Sequence, residues 1–119
     1  MSSRVVVARE LAEIFKILSH PDRIRLVEEL SSGERDVNTL HERLSLPAAR
    51  VSQHLALMRA HRIVEERRDG RHVYYHLVQP EFAHWIVDGL EFLERLHAGD
   101  PKAQEILADA RTLWSQTAH

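Results

Sequence analysis

Cysteine is absent from the chain. That excludes disulfides, thiolate metal centres and any sensor that works by oxidising a thiol. No apolar run approaches the roughly 18 residues a membrane-crossing helix needs, and the opening MSSRVVVARELAEIF meets charge too soon for a secretory leader. A cytoplasmic protein without a membrane partner is expected. No repeat, linker or low-complexity segment is visible, and glycine and proline are limited to four each. A nucleophile–base constellation, a Gly-rich phosphate loop and a complete catalytic metal motif are also missing, so an enzyme is not expected.

What is present fits one helix-rich globular domain spanning 1–119, with 44% hydrophobic and 29% charged residues. The formal net charge of -2 hides a division along the chain. Between Arg50 and His76, six arginines (50, 59, 62, 67, 68, 71) face Glu65, Glu66 and Asp69, a balance of +3. From Val78 to Asp100 a single arginine faces Glu81, Asp88, Glu91, Glu94 and Asp100, a balance of -4. Two surfaces with different partners are implied.

Val7, Leu11, Ile14 and Leu18 step by four, three and four, which predicts an amphipathic helix over 4–18. A second helix starts at Pro21, carries Ile24, Val27 and Leu30 on one stripe and stops at Gly33. A short third helix covers VNTLHERL, ends in SLP, and Pro47 opens a fourth whose inward positions are Val51, Leu55 and Met58. After Ile63 the period changes, and IVEERRDGRHVYYHLV reads as a β-hairpin around Asp69-Gly70. Pro80 opens a long helix through His97, closed by Gly99, and Asp100-Pro101 caps a last one. In that helix Ile106, Ala110 and Leu113 lie on one side, with Leu107 and Trp114 on the next. The order defines a winged helix-turn-helix (α-α-α-α-β-β-α-α), mainly α with a small hairpin.

In such a fold the helix after the turn enters the major groove. With Val51, Leu55 and Met58 inward, Ser52 and Gln53 project outward, able to exchange hydrogen bonds with base edges, while Arg50 supplies charge for phosphate or guanine. An isolated Ser-Gln pair is usually a solvated helix face; the turn before it and the basic hairpin after it favour DNA. His54 reads equally as a DNA contact or as half-buried packing. Arg67, Arg68, Arg71 and His72 cluster near the hairpin tip, where charge that would otherwise be mere surface can reach the sugar-phosphate backbone.

The stretches LSHPDRIRLVEEL and VSQHLALMRAHRIVEERRDGRHVYYHL, with this order of elements, resemble the ArsR/SmtB family of bacterial repressors over nearly the whole chain. The resemblance implies a homodimer joined through the terminal helices (about 4–18 and 80–117), bound to an imperfect palindrome of double-stranded DNA and released by an inducer. Most members sense metal ions. The family's cysteine-based sites in or near the third helix have no counterpart in DVNTLHERL. Its zinc, cobalt and nickel sites use Asp-x-His, ten residues, then His-x-x-Glu or His-x-x-His on the long dimer helix. Laid on that spacing the chain offers Glu81, Ala83, Glu94 and His97, with His84 one position, or about 100° of helix, from the second ligand.

The candidate metal set is therefore Glu81, His84, Glu94 and His97, a nitrogen and oxygen set suited to nickel, zinc or cobalt if two such helices pair antiparallel. The bland alternative leaves Glu94 and His97 in solvent and makes Glu81 a complement to the helix dipole. His20, His41, His72, His76 and His119 are further histidine candidates. Two other functions stay open: a winged-helix module that binds another protein, and a regulator of this type answering a non-metal signal or a protein partner.

Overall fold

The computed structural model describes residues 2–117, with no side-chain detail for 115–117. Six helices and three strands follow in order: α1 (Ser3–Ile17), α2 (Pro21–Leu30), β1 (Arg35–Asp36), α3 (Val37–Leu44), α4 (Ala48–Ala60), β2 (Val64–Asp69), β3 (His72–Leu77), α5 (Ala83–Leu96) and α6 (Pro101–Thr117). A 3₁₀ turn over Pro80–Phe82 precedes α5, so the long helix begins three residues later than its proline suggests.

Local chemistry accounts for most boundaries. Ser2 caps α1, His20 caps α2 through its ring and Pro21 takes the first helical position. Asp36 caps α3 by accepting from the Thr39 amide at 2.8 Å, and Asp100 accepts from Lys102 at 3.2 Å at the start of α6. Ser45 closes α3 at φ 55, a left-handed conformation that lets SLP turn the chain into α4.

The hairpin differs in one detail from the Asp-Gly expectation. Asp69 pairs with His72, so Gly70 and Arg71 are the loop residues. Of the two only Gly70 has positive φ, at 63, the pattern of a type II′ turn. That register puts Arg71 at the apex. The hairpin also gains a third strand: β1 pairs with β3, giving the order β1-β3-β2. Two residues are too short to show periodicity, which is why β1 leaves no mark in the sequence.

The core lies beneath the helix-turn-helix. Leu26, Val27, Leu40, Val51, Leu55, Met58 and Val64 are fully buried, and the fourth helix turns Val51, Leu55 and Met58 inward as their spacing predicts. Buried Glu29 is held by Arg43 and lies 3.8 Å from both Arg25 and Arg35, which satisfies a charge that would otherwise be costly there. The terminal helices behave differently. Among its described side chains α1 buries Ile17 alone, and in α6 Trp114 is buried while Ile106 and Leu113 face outward.

Candidate DNA-binding site

The 13-residue α4 presents Arg50, Ser52 and Gln53 as exposed side chains on its first turns. Ser52 shares a cleft of about 260 Å³ with Arg71 and His72 of the hairpin tip and with Asp36, Val37, Asn38 and Val73. Recognition helix and wing thus flank one groove, with a hydroxyl on one wall and a guanidinium on the other.

The basic residues of this face do not share one state. Arg67 donates to both oxygens of Glu34, at 2.6 Å through Nη2 to Oε1 and 3.2 Å through Nε to Oε2, and stacks 4.6 Å over its cross-strand neighbour Tyr74. The hydrogen bond from Arg67 holds the Glu34 carboxyl below its usual value, and Glu34 in turn raises the guanidinium. Arg68 is well exposed and lies 3.6 Å from Glu66, a carboxylate also approached by Arg59 at 3.3 Å and by the Tyr75 hydroxyl. His72 lies 3.6 Å from Asp36. Arg50 and Arg71 have no acid partner among the described residues. The charge immediately available to phosphate therefore sits at Arg50 and Arg71, with Arg68 next and Arg67 engaged elsewhere.

His54 points the other way. Its Nε2 lies 3.2 Å from Asp22 Oδ2 and its ring lies against His20, centroids 4.5 Å apart. Of its two readings, the structure adopts the packed one: the ring ties α4 to the first turn of α2 and is not presented outward. Asp22 was not singled out from sequence; its place two residues after His20 in the first turn of a helix was the signal available.

The candidate ligands of the long helix are not brought together within one chain. Glu81 lies in the 3₁₀ turn, His84 is exposed at the start of α5 and His97 is exposed at its C-cap. Glu81 and Glu94 are thirteen residues apart, roughly 20 Å along the axis. Both oxygens of Glu94 accept from Arg111 of α6, at 2.7 and 2.8 Å. Glu94 thus braces α5 against α6, and within one protomer its carboxylate is engaged by Arg111. Helix periodicity could not have shown this, because Arg111 lies on another element.

Of the remaining histidines, His76 lies 3.3 Å from Glu65 through Nε2, its buried Nδ1 stands 3.8 Å from Glu34 without a hydrogen bond among the described residues, and His41 is half-buried on α3. His119 lies outside the described residues. Among the described residues one group of three can bring ligand atoms within 4.8 Å of one another: His20, Asp22 and His54.

Helix, turn, exposed polar helix and basic wing define the class: a winged helix-turn-helix protein that binds DNA. Residues 20–66 match the family described as "Bacterial regulatory protein, arsR family". The chain is 34% identical over 92 residues to the HTH-type transcriptional regulator KmtR of Mycobacterium tuberculosis, covering 77% of this chain and 71% of that protein. It is 35% identical over 88 residues to the transcriptional repressor SmtB of the same species, covering 74% of this chain and 62% of SmtB. The crystal structure of the transcriptional repressor BigR from Xylella fastidiosa superposes with a TM-score of 0.65 at 29% identity, over 84% of this chain and all of that one. The chain belongs to the ArsR family and is a transcriptional regulator, not an enzyme.

Proposed function

We propose that the protein is a homodimeric, sequence-specific repressor that reads an imperfect palindrome of double-stranded DNA. The observation that carries this reading is the groove shared by Ser52 and Arg71, which sets a base-reading helix beside a phosphate-seeking wing apex. Ser52 and Gln53 contact base edges, Arg50, Arg68 and Arg71 hold the backbone, and His54 works indirectly by mounting α4. The apolar side chains left uncovered on α1, α5 and α6 support pairing with a second copy, since contiguous patches of this kind mark an interface. No helix among the described residues is long and apolar enough to cross a membrane, in keeping with a cytoplasmic regulator.

Control by nickel, zinc or cobalt is the finer part of the proposal. His84 at one end of α5 and His97 at the other are exposed, so in antiparallel partners the start of one helix meets the end of the other. The Glu94–Arg111 pair favours a second reading, in which that face answers a non-metal signal or a protein partner.

The decisive experiment measures binding of the purified chain to a palindromic operator fragment and to a scrambled one across a salt series. A dimer with half-sites about 10 bp apart centre to centre and a clear operator preference is expected. A monomer at micromolar concentration with equal affinity for both fragments overturns it.

A further inference from the structure

We propose a divalent-metal site formed by His20, Asp22 and His54, distinct from the long helix, joining the start of α2 to the recognition helix. It belongs to the same regulator and rests on the repressor reading only for its effect on DNA. The ligand chemistry stands apart from that reading.

The three side chains come from two elements and converge by packing. His54 Nε2 stands 3.2 Å from Asp22 Oδ2, and His20 Nδ1 stands 3.8 Å from the same oxygen. Two ligands of one tetrahedral zinc, each bonded at about 2.0–2.1 Å, lie roughly 3.4 Å apart. The His54–Asp22 edge is close to that length, and a metal between Nε2 and Oδ2 joins the same two atoms. At 3.8 Å from Asp22 Oδ2, His20 Nδ1 lies outside a tetrahedral edge, so His20 must close inward. His20 is free to do so: its side chain is 43% exposed, against 22% for Asp22 and 11% for His54. The exposed edge also provides an entry path and room for water to complete the coordination.

The site is not cost-free. His20 Nδ1 accepts the Asp22 amide at 3.1 Å and so serves as the N-cap of α2. Coordination through Nδ1 exchanges that hydrogen bond for a metal bond, and the positive end of the α2 dipole opposes a cation. The Asp22 carboxylate offsets this end, while the nearest cation of α2, Arg23, is turned away to the carbonyls of Ile17 and Lys16. Two imidazoles and one carboxylate select borderline metals, zinc, cobalt or nickel, over calcium or magnesium. His54 follows directly on Ser52 and Gln53, so the ion becomes part of the mounting of the base-reading turn.

Cobalt(II) alone is the probe, added to the purified full chain and followed by its d–d absorption and by calorimetry. His20→Asn keeps a capping side chain and removes an imidazole. His54→Gln keeps a partner for Asp22 and removes the other. One ion per protomer beyond any held at His84 and His97, bound at least tenfold more weakly by each variant while circular dichroism stays that of the parent, is the expected result. Parent-like affinity in both variants, or no cobalt bound at tens of micromolar, overturns the site. If either variant does not fold, histidine ring NMR of the parent decides: cobalt must broaden both His20 and His54, whether or not His84 and His97 respond too, and unbroadened His20 and His54 signals overturn it. Operator binding by the metal-free parent is measured separately, so loss of the metal site and loss of the repressor reading give different results.

Discussion

The two faces of this molecule meet the same problem in opposite ways. On the DNA face, polar side chains exceed what the core needs, and many are tied down within the domain: Arg67 to Glu34, His54 to Asp22, Arg59 and Arg68 to Glu66. On the terminal-helix face apolar side chains stay bare, with Phe92 61%, Leu96 63% and Ile106 63% exposed. Internal pairing keeps a charged surface ordered while leaving a few cations for a partner. Nothing inside the chain can do this for leucine and phenylalanine, which are satisfied only by burial. The first face pairs its charges internally; the second leaves its apolar side chains exposed.

The sharpest test of that difference is a charge on the apolar face. Val7→Glu costs little in a lone protomer, where Val7 is exposed. If the proposed dimer covers this face, the new carboxylate is placed against apolar surface, and the dimer is expected to weaken at least a hundredfold, about 3 kcal/mol. Operator affinity falls with it; sedimentation at micromolar concentration reads the first effect and fluorescence anisotropy the second. A Val7→Glu protein that remains dimeric breaks the comparison.

Next in size is the reading turn. Gln53→Ala is expected to cost about 1–3 kcal/mol on the operator and little on random DNA. Equal losses on both would make Gln53 a positioning residue. Asp36→Ala removes the α3 cap and is expected to cost about 1 kcal/mol of stability in urea unfolding. Hydrogen bonds from Thr39 hold the Asp36 carboxyl below its ordinary value. Its stabilisation is therefore fully present above the unfolded value of about 3.9 and fades as pH falls through the lower folded value. In Asp36→Asn that acid-range dependence should flatten.

The smallest effects sort the wing arginines. Arg71→Ala, at the apex and without an acid partner, should lower the salt slope of DNA binding by about one unit on any sequence. Arg67→Ala should lower it less, because Glu34 already neutralises that guanidinium. Arg67 regains a full contribution in Glu34→Gln if internal pairing is what holds it back.

Periodicity and punctuation made the architecture legible in advance. Val51, Leu55 and Met58 could be turned inward from their spacing alone, which left Ser52 and Gln53 facing out; Pro21, the SLP turn and Pro101 marked helix starts to within a residue. These are local properties, set by which side chains a 3.6-residue repeat places on one face and by which residues cap or break it. Pairings across elements obey no such rule. Glu34 and Arg67 are thirty-three residues apart, His54 and Asp22 thirty-two, Glu94 and Arg111 seventeen. Each decides whether a charged or imidazole group is available to a ligand or already taken. Spacing along one chain cannot express a contact between two elements, because that contact depends on how the core packs them. The identity of α4 as a recognition helix was thus written in the sequence, while the state of its histidine, the partners of its wing and the meeting of His20, Asp22 and His54 were settled only when the core brought α2, α4 and the sheet together.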